Sequence, residues 1–391
     1  MIDRFTWDEI RQLARVEDPA AVTLLMPTYE SGREVRQNAV RFKNLLHRAG
    51  ELLKERGVSA ADRDARLSEG EKAIHDESWW QHQGSGLAWM VAGEGCHRYR
   101  LPIELPEGVF IGEQFHLRPL VPIPQHDGGF FLLAVSQNRV RLFRGNRFAM
   151  ERLEPEDLPS DLLSALNIDE YVESLQQHST APRNVSGGMM FHGQGGAGMD
   201  VQKRDEILPF FRRIDEAFRS HFGEEHRPLV FAGVDFLFPL YKEAADYRHL
   251  VSRSVEGNPD DARPDDLQRR ALEVLRPIFD KPLREAIEAY HDSVGRREAG
   301  HDPAAILQAA RDGLVETLLL GEQATSWGRF DEGAQSWEVT DEAAGDSQDL
   351  GNLAAVRTLR TGGQVLVCPS TEMPEGHPLV AVYRAPVPAF E

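Results

Sequence analysis

The 391-residue sequence has little of what marks a secreted or membrane protein. Its two cysteines, Cys96 and Cys368, are far apart and in no metal or redox spacing, so we predict a reducing compartment without structural disulfides. Long apolar runs are also missing. The N-terminus carries charges throughout, and the most apolar stretch, residues 228–241, contains Asp235 and is shorter than the roughly 20 residues of a spanning helix. We therefore expect a cytoplasmic protein without membrane contact.

The common catalytic motifs are missing as well. The sequence contains no HExxH, no GxSxG and no GxxxxGK[ST], which argues against a zinc protease, a nucleophile elbow and a P-loop. Residues 193–198 satisfy GxGxxG by letter, but a dinucleotide site needs a strand directly before the glycines, and a polar loop precedes them here. His75 with His82, and Cys96 with His97, lack metal-ligand spacing. No cofactor and no metal are expected.

Negative charges outnumber positive ones, with 63 Asp and Glu against 44 Lys and Arg. The formal net charge is −19 at pH 7, whereas proteins that bind nucleic acid through bulk electrostatics are usually basic. Indiscriminate coating of RNA is therefore excluded. If the protein binds RNA, it must do so through shape and local basic patches, and the acidity otherwise favours a protein-interaction role.

The order of apolar runs and turn residues predicts an α/β protein of three domains. In residues 1–124, the apolar run Ala21 to Met26 predicts a buried strand. Apolar residues at helical spacing predict a helix from about Glu34 to Arg56. The first domain is expected to be α/β.

Residues 125–253 are predicted to form a middle domain with a mixed sheet, helices and a long glycine-rich loop over residues 187–199. Apolar runs separated by turn residues predict an antiparallel meander between Phe130 and Leu153. A helix is predicted from Asp200, its N-cap, to Phe222, and a strand is predicted over Leu229 to Phe238.

The remaining residues predict a linker and a third domain. Residues 254–266, SVEGNPDDARPDD, are dense in Pro, Gly, Asp and Asn, which is typical of an interdomain linker. Residues 267–391 alternate helical patterns with short apolar strands, which predicts a C-terminal α/β sandwich. The predicted elements are helices over 267–290, 303–312 and 349–359 and strands over 315–320, 365–368 and 379–383.

The glycine-rich segment is the most specific feature of the sequence. Residues 192–198, HGQGGAG, precede a long amphipathic helix that starts with Lys203 and Arg204. This arrangement resembles the HGRGGQS loop and helix in the middle domain of archaeo-eukaryotic release factors. AGVDFLFPLYKEA at 232–244 resembles the strand and helix that close that domain.

The resemblance extends to both ends of the chain. LVETLLLGEQ at 314–323, followed by DLGNLAAVRTLRTGGQVLVCPS and PLVAVYR, resembles the C-terminal domain that shares its fold with kink-turn-binding ribosomal proteins. VTLLMPTYESGREVRQNAVRFKNLL near the N-terminus is similar to bacterial proteins of this superfamily. Because the segments occur in matching order, the chain resembles bacterial members of the archaeo-eukaryotic release factor and Pelota superfamily.

The resemblance implies a ribosome-associated translation factor that binds the A site in rescue, hibernation or termination. Its partners would be rRNA and the tRNA acceptor end, and a translational GTPase is a further candidate partner. In this family the loop enters the peptidyl-transferase centre, where glycines allow close approach to RNA. The residues thereby expected to contact ribosome or tRNA are His192, Gly193, Gly195, Gly196, Ala197 and Gly198, joined by the basic residues Arg183, Lys203 and Arg204 around the loop.

The residues of the loop bear on catalysis. Ala197 stands where the family has the glutamine that helps place the attacking water, and Gln194 stands at the family's arginine position. A role in binding, as in Pelota-type relatives that lack the glutamine, is therefore favoured. Two alternatives stay open: a peptidyl-tRNA ester hydrolase in which Gln194 is catalytic, and a protein-interaction module that has lost ribosome binding.

A second glycine pair spells the family's triplet at Gly362-Gly363-Gln364. It lies between a predicted helix and a predicted strand of the third domain, where Gly-Gly is an ordinary helix C-cap. We predict a structural role for this triplet.

Overall fold

The N-terminal and C-terminal segments of the chain form one unit, and the segment between them forms another. The computed structural model describes residues 3–93, 95–126, 128–136, 138–161, 201–322, 327–331, 336–339 and 348–387. Residues 1–127 and 280–391 make up the terminal unit, and residues 128–279 make up the middle unit.

Helices and strands occur along the described chain, singly and in short runs of one type. The helices are α1 Trp7–Ala14, α2 Val35–Glu55, α3 Ala60–Ile74, α4 Glu77–Trp80, α5 Pro122–His126, α6 Val201–Phe222, α7 Leu237–Ala244, α8 Pro264–Phe279, α9 Lys281–Val294, α10 Pro303–Arg311 and α11 Leu350–Arg360, with 3-10 turns at Arg118–Leu120 and Pro374–Gly376. The strands are β1 Ala21–Pro27, β2 Gly86–Ala92, β3 Gly95–Leu101, β4 Gly108–Gly112, β5 Phe130–Val135, β6 Val140–Gly145, β7 Met150–Leu153, β8 Leu229–Gly233, β9 Val255–Glu256, β10 Ala299–Gly300, β11 Val315–Gly321, β12 Trp327–Asp331, β13 Ser336–Val339, β14 Gln348–Asp349, β15 Gln364–Cys368 and β16 Leu379–Tyr383. Among the described helices, none combines the length and apolar character that crossing a membrane requires.

The N-terminal sheet of the terminal unit is antiparallel, in the order β3-β2-β1-β4. Strand β1 is buried on both faces and is apolar apart from Thr23. Leu24 and Met26 pack with Phe42 of α2 and with Trp89, whereas Ala21 and Leu25 face a second core. The buried strand and the helix predicted here are confirmed, with α2 running from Val35 to Glu55.

The C-terminal sheet of the terminal unit has the order β10-β16-β11-β15, with β11 and β15 parallel. Alternate residues of β11 face opposite layers. Leu318 and Leu320 pack with α10 and α11, whereas Leu319 packs with Tyr290 of α9. A smaller sheet, β13-β12-β14, is inserted between β11 and α11. This α/β arrangement confirms the fold class expected for the C-terminal segment.

The two end segments share one hydrophobic core, which the prediction of separate first and third domains did not include. Leu13 of α1 and Met90 of β2 belong to the same cluster as Leu307 of α10 and Val356 of α11. The end segments therefore form a single unit with a common interior, and only the middle unit is separate by its own contacts.

A buried polar network also joins the end segments. Arg118 Nη1 lies 3.1 Å from Asp349 Oδ2, and the two side chains are 8% and 1% exposed. Arg118 Nη2 donates to the Gly321 carbonyl at 2.8 Å. Asn352 Oδ1 accepts from the backbone N–H of Leu117 and Arg118 at 2.7 and 3.0 Å. Because buried polar groups need partners, this network specifies how the two segments pair.

The middle unit is built on the five-stranded mixed sheet β7-β6-β5-β8-β9. Strands β5, β6 and β7 form the predicted antiparallel meander, and β8 pairs parallel to β5. Helices α6 and α7 cover one face, and α8 covers the other through Leu267, Ala271 and Leu275. Each face of β5 is thus buried under helices, which explains its uninterrupted apolar sequence FFLLAV.

Three boundaries differ from the predictions. The expected linker 254–266 contains β9 of the middle sheet and the start of α8, so the middle unit continues to Phe279. The expected helix 267–290 is two helices, because Pro282 in the first turn of α9 lacks the N–H that would continue the ladder of α8. The expected strand 229–238 ends at Gly233, and α7 begins at Leu237.

The supposed linker is held by side chains of the β5–β6 hairpin. Asn138 Nδ2 donates to Asp260 Oδ2 at 3.1 Å, and Ser136 Oγ donates to the other oxygen of that carboxylate. Arg141 donates to the carbonyls of Pro259 and Ala262. The turn residues that suggested a linker therefore form an anchored loop of the middle unit.

Candidate functional site

The glycine-rich segment precedes α6 in the middle unit. The described chain resumes at Val201, so residues 187–199, including His192, Gly193, Gln194, Gly195, Gly196, Ala197 and Gly198, lie outside the described residues, as does Arg183. Lys203 and Arg204 lie in the first turn of α6. Their side chains are not among those that the structure describes. The predicted helix from Asp200 to Phe222 is confirmed from Val201 onward.

The apolar face of α6 packs tightly on the middle sheet. Phe211 and Phe218 are fully buried, and their rings meet those of Phe231 and Phe131 edge-on at centroid distances of 6.1 and 5.1 Å. Pro209 lies within the helix on its exposed side, so the helix continues through it. Such packing holds the second half of α6 in a fixed orientation relative to the sheet.

A buried carboxylate locks the same half of the helix. Asp215 is 1% exposed and accepts from Arg219 Nε at 2.7 Å and from the backbone N–H of Asp246 at 2.9 Å. It therefore ties α6 to the chain that follows α7. Burial is the larger cause and the charge of Asp215 the smaller one, and together they raise the pKa of Tyr241 far above its usual value. Asp215 was not among the residues predicted from the sequence, although an acidic residue between Ile214 and Phe218 on an apolar helix face was a usable signal.

The outer face of α6 carries positive charge. Arg212 and Arg213 are exposed, two turns beyond Lys203 and Arg204 along the helix. Arg219 is engaged by Asp215 and lies 3.4 Å from Asp246. Arg144 on β6 is bound to Glu225 at 3.1 Å and lies over the Phe222 ring. Among the described side chains, the exposed arginines Arg212 and Arg213 lie at the middle of α6, and Arg219 lies nearer its C-terminal end.

The second glycine triplet has the predicted structural role. Gly362 has φ +79°, in the left-handed region, and follows α11 directly. The Gly363 N–H donates to the Thr358 carbonyl at 2.8 Å, and a Cβ at Gly363 would lie 2.7 Å from the Val315 carbonyl oxygen. Both glycines are required by the turn between α11 and β15.

The cysteines are chemically quiet. Burial raises the pKa of Cys96 to about 11, with smaller opposing effects of Arg98 and Glu69. Burial, with a smaller effect of Glu372, likewise raises the pKa of Cys368 to about 11. Both thiols are therefore neutral near pH 7 and poor nucleophiles. In the described part of the chain, neither cysteine belongs to a group of side chains that could hold a metal ion.

Comparisons with known proteins relate the middle unit to one family. Residues 130–277 match the model of bacterial archaeo-eukaryotic release factor family 7. A search of curated proteins finds no match. The matched range coincides closely with the middle unit and spans the glycine-rich segment and α6.

Solved structures that align with the chain include translation factors. An archaeal translation termination factor, aRF1, is 14% identical, with 97% of this chain and 99% of that chain covered and a TM-score of 0.25. Pelota from Archaeoglobus fulgidus is 10% identical, with 100% and 95% covered and a TM-score of 0.35. A ribosome-bound archaeal Pelota is 11% identical, with 99% and 96% covered and a TM-score of 0.36. Residues 130–277 are therefore similar to bacterial archaeo-eukaryotic release factor family 7, in agreement with the sequence resemblance.

Proposed function

We propose that this protein is a translation factor of release-factor and Pelota type that binds the ribosomal A site in rescue, hibernation or termination. The observation that carries the proposal is the position of the glycine-rich segment, which lies inside the family match and directly before α6. Phe211, Phe218 and Asp215 anchor the second half of α6 on the middle unit, so the glycine-rich segment is joined to a helix of fixed direction. A rigid support is what a loop needs to reach a buried RNA site in a defined direction.

In this proposal the glycines of residues 193–198 allow backbone amides to approach the tRNA acceptor end. Arg183, Lys203 and Arg204 bind phosphates beside the loop, and Arg212 and Arg213 extend the basic surface along α6. A local basic face is required because the whole chain carries a net charge of −19. Cations at this face would position the loop, since phosphate contacts fix orientation without reading sequence.

Charge reversal on α6 should weaken ribosome binding. We expect the wild-type protein to co-sediment with 70S ribosomes at low salt, and the double variant Lys203→Glu/Arg204→Glu to bind roughly tenfold more weakly or worse. The dependence of log affinity on log salt should become less steep by roughly two for the two lost phosphate contacts. The measurement is quantitative co-sedimentation at several salt concentrations.

The matched control is Lys54→Glu/Arg56→Glu, which makes the same charge change at exposed positions at the end of α2. It should bind within about twofold of wild type if the contacts are local to α6. Equal losses in both variants would point to bulk charge instead. No sedimentation of the wild type at any salt concentration would favour the protein-interaction module.

The purified protein should release little or no peptide from peptidyl-tRNA on ribosomes. Ester hydrolysis needs a polar group within about 3 Å of the attacking water, and Ala197 offers none. We expect wild type, Gln194→Ala and buffer to give the same background in a release assay with labelled peptidyl-tRNA, with a stop-codon release factor as positive control. Fast release by wild type that is lost in Gln194→Ala would establish the hydrolase alternative.

A further inference from the structure

Three metal-binding side chains meet at one edge of the C-terminal sheet. His301 follows β10, and Glu375 and His377 lie in the segment that leads into β16. Pairing of β10 with β16, in the register Gly300 to Ala381, brings these segments together. We call His301, Glu375 and His377 the His301 cluster. Within the described residues, these are the histidine, cysteine or acidic side chains whose ligand atoms lie close enough together to hold one metal ion.

The ligand atoms of the His301 cluster are close enough to share one ion. One nitrogen of each histidine and one oxygen of Glu375 all lie within 4.8 Å of one another. His377 Nε2 lies 3.3 Å from Glu375 Oε2. Metal–ligand bonds of roughly 2.0–2.1 Å in a tetrahedral site place ligand atoms roughly 3.3 Å apart, so the carboxylate and one imidazole already have the required spacing.

The two imidazoles lie face to face, with centroids 3.8 Å apart and planes at 6°. Because nitrogen lone pairs lie in the ring plane, the rings must tilt toward each other to share an ion. Both imidazole rings have room to tilt, because His301 is exposed and the His377 side chain is 29% exposed. The tilt involves side-chain torsions and leaves the sheet unchanged.

The backbone of the turn aims Glu375 and His377 to the same side. Glu375 has φ 54° and Gly376 has φ 73°, so two successive residues occupy the left-handed region. Hydrogen bonds from the Gly376 N–H to the Met373 carbonyl, at 3.1 Å, and from the His377 N–H to the Pro374 carbonyl, at 3.0 Å, close the turn. A non-glycine residue in this region is unusual and is often found where a side chain has a function.

Two buried tyrosine hydroxyls belong to residues that interact with the cluster or with its neighbour Gly300. The Tyr383 hydroxyl faces Gly300, since a Cβ at Gly300 would lie 3.0 Å from it. Tyr290 is fully buried, and burial first and the charge of Glu375 second raise its pKa. Neither hydroxyl has a hydrogen-bond partner in the described part of the molecule. Buried donors without protein acceptors fit a site that takes up a ligand or metal-bound water.

We propose that the His301 cluster is a surface binding site for a divalent transition-metal cation of the zinc class. Two imidazoles and one carboxylate suit Zn²⁺, whereas Mg²⁺ and Ca²⁺ prefer oxygen ligands alone. Three protein ligands leave one coordination position open to water or to an external ligand. The ion would connect the junction between β10 and α10 to the segment before β16. This site is independent of ribosome binding.

Calorimetric titration of metal-free full-length protein with ZnSO₄ tests the site. We expect one equivalent of Zn²⁺ to bind and to raise the melting temperature by a few degrees, and MgCl₂ or CaCl₂ to do neither. His301→Ala/His377→Ala should abolish this binding, and Glu375→Gln should weaken it roughly tenfold or more. With Co²⁺ as a second probe, wild type should show visible absorption bands that the double-histidine variant lacks.

The matched control is His226→Ala/His249→Ala, which removes another exposed histidine pair whose ring nitrogens lie 3.2 Å apart. This control should bind Zn²⁺ as wild type does. The metal-free variants should melt at the wild-type temperature, because His301 and Glu375 are exposed. Absence of Zn²⁺ binding by wild type, binding that survives loss of both cluster histidines, or binding lost in the control would each overturn the proposal.

Discussion

Asp349→Ala should lower the free energy of unfolding of the terminal unit by about 3–5 kcal/mol. The substitution leaves the Arg118 guanidinium, 8% exposed, without the carboxylate that lies 3.1 Å away. It also removes the side-chain cap of α11, because Asp349 accepts from the Asn352 N–H. Urea unfolding followed by tryptophan fluorescence and circular dichroism measures the loss.

Asp8→Ala is the matched control for this prediction. Asp8 forms an ion pair with Arg11 at 3.5 Å, but its side chain is 88% exposed, so the change in stability should stay within about 0.5 kcal/mol. Adding Arg118→Met to Asp349→Ala should recover part of the lost stability, because it removes the buried guanidinium charge that has lost its carboxylate partner. If Asp349→Ala behaves like Asp8→Ala, the network does not hold the end segments together.

Stability should also fall between pH 6.5 and about pH 4 because of His116. Burial lowers the pKa of His116 to about 4; nearby Asp349 opposes this shift and Arg118 adds to it. The ring is stacked on Phe110 at a centroid distance of 3.8 Å. In this pH range the unfolded chain binds a proton at His116 that the folded chain does not. The free energy of unfolding is therefore unaffected by His116 above pH 6.5 and falls progressively below it. The loss on acidification should reach about 3 kcal/mol.

His116→Phe isolates this effect, because phenylalanine can keep the stacking but cannot titrate. Urea unfolding at pH 7.5, 6.0, 5.0 and 4.5 should show a much flatter profile for the variant than for wild type. Asp3 and Asp18 act in a more acidic range: burial raises the pKa of each carboxyl, but hydrogen bonds from Arg100 and Arg66 outweigh it and lower the pKa overall. Equal acid sensitivity of both proteins would assign the effect to other groups.

Local elements could be predicted because their signals are local. The strand β1 and helix α2 follow from apolar runs and helical spacing, and the turn at Gly362 follows from a glycine pair between two elements. The common core of the end segments could not be predicted. One hydrogen bond between the two segments, from the Leu117 N–H to Asn352 Oδ1, joins residues 235 positions apart. No sequence pattern within one segment indicates that it packs against the other.

The candidate sites also differ in whether a local sequence signal could identify them. The glycine-rich segment was identified by its composition and its resemblance to a family motif. The His301 cluster combines residues more than 70 positions apart, which the pairing of β10 and β16 brings together. Asp260 contributed to the incorrect linker prediction. Its carboxylate accepts hydrogen bonds from Ser136 and Asn138, which belong to a hairpin distant in sequence.

The shared core imposes an order on vectorial synthesis. Gly128 and Phe279, the first and last residues of the middle unit, lie together, since a Cβ at Gly128 would be 2.6 Å from the Phe279 ring. A nascent chain can therefore complete this unit once residue 279 has emerged. The N-terminal segment must wait for α11 and β16, with Leu25 and Met90 uncovered in the meantime. Chaperone demand during translation should thus fall on the first segment to be made.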